Sequence, residues 1–166
     1  MTRTRSFAQP NSFGALDTML DKLQRRQANI CLSSAGLAIH GSASALAKAG
    51  SAFKAYVEGT YVHKAASTDM PALSGTVTNA KFNVFVFTID ASGNLKTYAG
   101  TQGSTRAAVV FPTITDGEVV IGFVEINPTG TGDFVGGTTA LDDATVAPNA
   151  VYVNTPFPFI PGAEAI

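Results

Sequence analysis

A single cysteine, Cys31, stands in 166 residues, and there is no tryptophan. One thiol excludes an intrachain disulfide and argues against a thiolate metal cluster, which needs several. Charge is scarce as well. Asp, Glu, Lys and Arg make up 14% of the chain, against about 25% in an ordinary soluble domain. No apolar run approaches the ~20 residues that cross a bilayer as a helix. The arginines near the start have no apolar stretch behind them, so no secretory signal is visible, and synthesis in a reducing cytoplasm is expected. The missing tryptophan weakens a sugar-binding cleft.

Familiar reactive patterns are missing too. There is no Gly-x-Ser-x-Gly, no His-Glu-x-x-His and no Gly-x-x-x-x-Gly-Lys. His40 and His63 have no Cys, Asp or Glu at ligand spacing, so they read as surface or strand histidines rather than metal ligands. Cys31 as a nucleophile needs a base supplied by the fold, and a small buried residue is the plainer reading. Gly130–Gly137 opens no helix and holds no lysine, so it reads as turns rather than a phosphate loop. Asp133, Asp142 and Asp143 offer oxygen ligands for calcium, but EF-hand spacing is absent. A cap on a short helical turn at 142–145 is the preferred role. Asp69, Asp116 and Glu118 lie in or beside turns and read as solvated carboxylates. A pair of glycosidase carboxylates distant in sequence stays open. No cofactor is expected.

What is present is apolar and hydroxylic. Hydrophobic residues are 45%, and the polar remainder is mostly Thr, Ser, Gly and Asn. Such a weakly charged surface suits a protein packed against others; the alternative is a soluble β domain with a Thr/Ser-rich surface. The net charge of −1 is unevenly spread. Arg3, Arg5, Lys22, Arg25 and Arg26 face only Asp17 and Asp21 in residues 1–26, and the rest holds six basic and ten acidic residues. A basic arm ahead of an acidic body suggests contact with an acidic surface. Nucleic acid is disfavoured, because no aromatics interleave with the basic residues.

Along the chain, residues 1–12 read as an extended arm in which Pro10 blocks a helix. Ser12 then caps a short helix with Leu16, Met19, Leu20 and Leu23 on one stripe. Asp17 near its start and Arg25 and Arg26 near its end suit the helix dipole. That stripe must lie on the body, on a sister chain or on a partner. Short strands follow at Leu37–Ile39, Ala45–Ala49, Ala52–Val57 and Tyr61–Lys64, with a turn at Glu58-Gly59-Thr60; Ser44–Ala55 has helical propensity as the alternative, and the even spacing of Gly41, Gly50 and Gly59 favours strands. Residues 66–79 read as an irregular connection. Lys81–Asp90 is the clearest strand, apolar on both faces; Leu95–Ala99 returns beside it. Ala107–Phe111 and Glu118–Ile126 read as two more strands. Residues 129–150 form a long Gly/Thr/Asp loop with room for a strand at Asp133–Val135, and Ala150–Asn154 is the last strand. The tail from Pro156 holds three prolines and the apolar Phe157, Phe159 and Ile160. It cannot lie inside a sheet and is expected to tuck onto a surface.

The expected architecture is all-β: a β-sandwich or jelly-roll-like body (31–155), preceded by an arm and short helix (1–30) and followed by an extended tail (156–166). The stretch Val109–Thr155 is its expected organising unit.

The segment EVVIGFVEINPTGTGDFVGGTTALDDATVAPNAVYVNT (Glu118–Thr155) resembles the C-terminal half of small virion proteins of tailed bacteriophages. There a Val-x-Ile-Gly-x-Val-x-Ile-Asn-Pro strand precedes a Gly/Thr loop and a Thr-Ala-Leu-Asp turn. FKAYVEGTYVHKAA and FTIDASGNLKTYAG resemble strand-turn-strand pieces of the same proteins. The resemblance implies a non-enzymatic structural protein, a capsid decoration (cement) protein on the outer head surface. It implies self-association as a homotrimer, the major capsid protein as partner, and neither nucleic acid nor membrane. Arg3, Arg5, Arg25, Arg26, Phe157 and Phe159 are the expected partner contacts. The competing expectation is a head-fibre, tail or baseplate component that binds a host glycan through loop 129–150.

Overall fold

A computed structural model describes the chain from residue 10 to residue 156, apart from the side chains at positions 10–13, 15, 21, 22, 25 and 26. Helix α1 (Pro10–Ala28) leads into β1 (Ile30–Cys31), β2 (Leu37–Ile39), β3 (Ala47–Ala49), β4 (Phe53–Val57) and β5 (Thr60–Lys64). Then come β6 (Thr76–Val77), β7 (Asn83–Asp90), β8 (Leu95–Ala99), β9 (Glu118–Ile126), β10 (Phe134–Val135) and β11 (Val151–Asn154). The fold is all-β and sandwich-like with one N-terminal helix. A four-stranded antiparallel sheet, β11-β9-β7-β8, is joined by a three-stranded sheet, β1-β4-β5, and by the ribbons β2-β3 and β10-β6.

Five sequence expectations change. Pro10 does not block α1 but begins it, a position where its missing N–H leaves no helical bond unmade. Ser12 is therefore inside the helix rather than at its cap, and Asp17 lies two turns in; no acidic residue occupies the first turn. Ala107–Phe111 is not a strand. It holds a short 3-10 turn at Arg106–Ala108 and a single bridge from Val110 to Thr101. The connection 66–79 is not wholly irregular, because β6 within it pairs with β10.

The core lies between the two larger sheets. Strand β4 alternates, with Phe53, Ala55 and Val57 buried and Lys54 and Tyr56 exposed. That is the period of a sheet covered on one side. Strand β7 is buried from Asn83 to Ile89, as a strand covered on both sides must be. Its Phe85, Phe87 and Ile89 join Phe53, Val57, Ile121 and Phe134 in one apolar cluster. On β9 the register against β7 slips after Phe87, so that Phe87 faces Gly122 and Thr88 faces Val120. This bulge inverts the alternation. Val119 and Ile121 point to the core before it, and Val124 and Ile126 after it. The opposite face of the sheet takes Val86, Thr88, Lys96, Tyr98, Glu118 and Phe123. It is partly covered by the segment from 100 to 117, through Phe111 packed edge-on against Phe123 at 5.1 Å.

The β4–β5 hairpin ties the helix to the body. Its two turn residues, Glu58 (φ 51°) and Gly59 (φ 77°), both have positive φ, as a two-residue turn matching strand twist requires. The Glu58 N–H donates to Asn29 Oδ1 at 2.8 Å, and the Gly59 N–H donates to the Ala28 carbonyl at 3.4 Å. The end of α1 is thus fastened to the hairpin tip.

Candidate functional site

The chemistry a protein offers its surroundings starts with what it leaves in solvent. Ten large hydrophobic side chains are exposed among the described residues, and seven belong to α1 and the sheet beside it. On α1 the whole sequence-predicted stripe is out: Leu16, Met19, Leu20 and Leu23 are 40–47% exposed. The stripe therefore does not lie on the body. On the outer face of β1-β4-β5, Tyr56 and Tyr61 stand opposite each other with ring centroids 5.7 Å apart, edge to face. Leu32 is exposed just beyond β1. Lys54 and His63 form the next outward pair along the same hairpin. Because α1 ends at the hairpin tip, the stripe and the tyrosine pair belong to neighbouring parts of the molecule. Apolar and aromatic groups with few charges between them are the composition of an interface core.

The densest polar cluster is buried instead. Glu118 begins β9 with its side chain 2% exposed, which corrects its reading as a solvated turn carboxylate. Its Oε2 accepts from Thr88 Oγ1 at 2.6 Å. Its Oε1 accepts from Lys96 Nζ at 2.6 Å and from Tyr98 OH at 2.9 Å. The register explains the meeting: Thr88 faces Lys96 and Val86 faces Tyr98 across β7 and β8. Burial pushes the Glu118 carboxyl up, but the hydrogen bonds from Lys96, Thr88 and Tyr98 outweigh it and hold it below the ordinary range. A carboxylate engaged by three donors is a poor base or nucleophile. Its chemistry is to fix the β7–β8–β9 corner.

Other candidates from the sequence are placed apart. His40 Nδ1 lies 2.5 Å from Asp69 Oδ1, half exposed on both sides. That is a carboxylate partner 29 residues away which local spacing did not reveal. The three aspartates considered for calcium each hold a different backbone. Asp133 accepts from the Asn79 N–H, Asp142 from the Ala43 N–H through both oxygens, and Asp143 from the N–H groups of Thr145 and Val146. Asp143 is thus the cap of the short turn. Among the described residues no group of three His, Cys, Asp or Glu is placed to hold a metal ion. Cys31 is buried. Burial pushes its thiol up against a smaller opposing effect of its hydrogen bond to Ser33, so it is not an activated nucleophile.

Loop 129–150 is stitched to the body rather than free. Besides the Asp142 contact, the Leu141 N–H donates to the Ser44 carbonyl at 2.8 Å. Where the loop meets β2 and β11 it walls a cavity of about 320 Å³ lined by Ile39, Leu141, Asp142, Ala147 and Tyr152 among others. The Tyr152 hydroxyl is buried with no hydrogen-bond partner among the described residues. Burial, and then the charge of Asp142, push it up to about 12.

Of the expected partner contacts, Arg3, Arg5, Phe157 and Phe159 lie outside the described residues, as do the arm and the tail that carry them. Arg25 and Arg26 belong to α1, but their side chains lie outside the description. Sequence reasoning missed Tyr56, Tyr61 and Leu32. The signal was available in the polar/apolar alternation of β4, where an outward tyrosine stands in place of a polar residue. Among known proteins, no family model, no curated protein and no solved structure matches this chain.

Proposed function

We propose that the chain is a structural protein of a tailed-phage virion, a decoration protein that binds the outer head surface and reinforces it. The observation that carries this reading is the gathering of exposed apolar side chains on α1 and the outer face of β1-β4-β5. A body with a closed core that still presents such a surface is made to be covered by another protein. The proposal keeps the trimer and the major capsid protein as partners, both implied by the virion resemblance. Many weak contacts repeated over a shell hold firmly without any single strong one. The low charge of the chain fits a life packed in a lattice.

The test is immuno-electron microscopy of the particles made by the genome that encodes this chain. Even labelling over the head is the expected result. Label confined to the tail or its tip refutes decoration and favours an adsorption protein. Absence of label from every particle refutes a virion role altogether.

A further inference from the structure

We propose that the free edge of β5 pairs antiparallel with β5 of a second copy of this chain, so that two three-stranded sheets become one continuous sheet. The backbone groups already spent show which remain. On β4 the Lys54 carbonyl accepts from the Leu32 N–H at 2.8 Å, so Lys54 and Tyr56 turn their backbone toward β1, where Tyr56 faces Ile30. Phe53, Ala55 and Val57 therefore turn toward β5, where they meet Lys64, Val62 and Thr60. That leaves Tyr61 and His63 with N–H and C=O directed away from the sheet. Among the described residues nothing bonds any of these groups. Native edges are usually protected by a proline, a bulge or a charge. Strand β5 has no proline, pairs with β4 without a register shift, and has buried Val62 at its centre. The ends of the larger sheet differ. On β8 Lys96 is exposed and Thr97 Oγ1 is tied to the Pro71 carbonyl at 3.0 Å. Strand β11 adjoins β2 through Asn154 Oδ1, which accepts from the Leu37 N–H at 2.9 Å.

A row of alternating donors and acceptors takes an extended chain, and the symmetry of this row selects a second β5. Its free groups lie equally on either side of Val62. A two-fold axis there sets Tyr61 of each copy opposite His63 of the other and makes four N–H···O bonds from groups that are all free. Val62 then faces Val62 of the copy at the close, non-bonded position on the core side, a favourable pair of β-branched side chains. No like charges oppose each other, because Lys64 meets Thr60. Either neighbouring register is worse. One asks for the Gly59 N–H, already given to the Ala28 carbonyl. The other sets His63 against His63 and asks for the Ala65 carbonyl, which already accepts from Thr68 Oγ1 at 2.7 Å. Pairing at the edge leaves the outer face open and doubles it, with Tyr56 and Tyr61 of both copies on one sheet. The contact requires no capsid, so it is independent of the virion reading.

Sedimentation and cross-linking of the full-length protein test it. The parent is expected to pass from monomer to dimer as concentration rises. His63→Pro removes an N–H that β4 does not use, at an edge position where proline is tolerated. By symmetry it deletes two of the four bonds, so dimerisation should weaken by about tenfold or more while the far-ultraviolet β signal is kept. His63→Ala retains the N–H and should dimerise like the parent. For cross-linking, in a Cys31→Ala background that removes a thiol already buried, reduced Tyr61→Cys and His63→Cys proteins, one carrying a size tag, are mixed and then oxidised. Opposed positions lie about 5.5 Å apart between Cα atoms, within disulfide reach. Like positions are offset by two residues and lie about 9 Å apart, beyond it. The expected product is a mixed 61–63 dimer that dominates over both same-position dimers. A dominant 61–61 or 63–63 dimer overturns the register. A parent that stays monomeric at every concentration, a folded His63→Pro protein that dimerises as well as the parent, or no cross-link in any combination overturns the pairing. If His63→Pro loses the β signal, the cross-link decides alone.

Discussion

Glu118 is where the fold concentrates its electrostatic commitment, and Glu118→Ala is the perturbation that measures it. Three donors converge on this carboxylate, but they do not lose equally when it goes. Thr88 is fully buried, so its hydroxyl is left without its acceptor, at about 1–3 kcal/mol. Tyr98 keeps a second partner in Thr115 Oγ1 at 3.0 Å. Lys96 is about half exposed, regains water, and adds little. Loss of the buried methylenes contributes about 1 kcal/mol more. The expected cost is therefore roughly 2–4 kcal/mol, read as the shift in urea midpoint at constant slope, or as a fall in melting temperature on the order of 5–15 °C. The pH dependence follows from the direction of the shift. The folded carboxyl sits below its unfolded value, so its stabilisation is fully present above the unfolded value, about 4.3. It is lost as pH falls through the folded value. Asp90 and Asp143 are held low in the same sense. Glu118→Gln should therefore flatten the acid limb of the stability curve without abolishing it. An alanine variant within about 0.5 kcal/mol of the parent, below what one orphaned buried hydroxyl should cost, refutes the account. So does an acid limb identical in parent and Glu118→Gln.

Gly122→Ala should be severely destabilising or insoluble on expression. Its new methyl would collide with the Val153 carbonyl and come within 2.6 Å of Leu37 Cδ1, which pushes β11 off β9; loss of more than about 2 kcal/mol in a denaturant titration is expected. Tyr152→Phe should be neutral or stabilising by up to about 1–2 kcal/mol, because it removes a buried hydroxyl with no partner among the described residues. The same variant should resist alkali better. The parent's Tyr152 value is raised, so that share of stability is present below about 10 and is lost as pH rises through the folded value of about 12. Alkaline melting curves of the two proteins compare them directly. Replacing both Tyr56 and Tyr61 with serine should lower stability by about 1–3 kcal/mol, the worth of the aromatic pair plus the covered part of each ring. Co-sedimentation with particles should fall sharply, and unchanged co-sedimentation would clear this face of any role in attachment.

Much of the architecture was legible because it is local. The Lys81–Asp90 run showed apolar residues on both faces, and that is how β7 is used. The Glu58-Gly59 turn and the Leu95–Ala99 return strand are sequence-local and stand close to where they were expected. Short strands paired across long separations were not legible. Nothing in the stretch 66–79 marks Thr76–Val77 as a strand until Phe134–Val135, far along the chain, comes to pair with it. The segment Ala107–Phe111 has the composition of a strand, but Val110 makes only one bridge and is 60% exposed. Composition alone does not supply a partner. Glu118 looked like a turn carboxylate because its neighbours Asp116 and Gly117 are turn residues. Its burial depends on Lys96 and Tyr98, which only the β7–β8 register brings near. The same limit hid Asp69 from His40.

The division between what is satisfied and what is left open bears on assembly. Inside the body, the carboxylates with long-range partners are spent on holding loops and strands: Asp142 on Ala43, Asp133 on Asn79, Glu118 on Thr88. A body closed in this way has little conformational freedom left to give up, so the proposed docking would lose less entropy than it would for a loosely ordered surface. Helix α1 is the opposite case. Helices near its length are only marginal in water unless an apolar face is packed, and its face is not packed by its own chain. A partner that covers this face, as the proposed function requires, would therefore also stabilise α1. On the proposed reading, a helix that gains stability when its apolar face is covered makes completion of the helix and docking one process, and many such weak contacts repeated over a shell would hold firmly together.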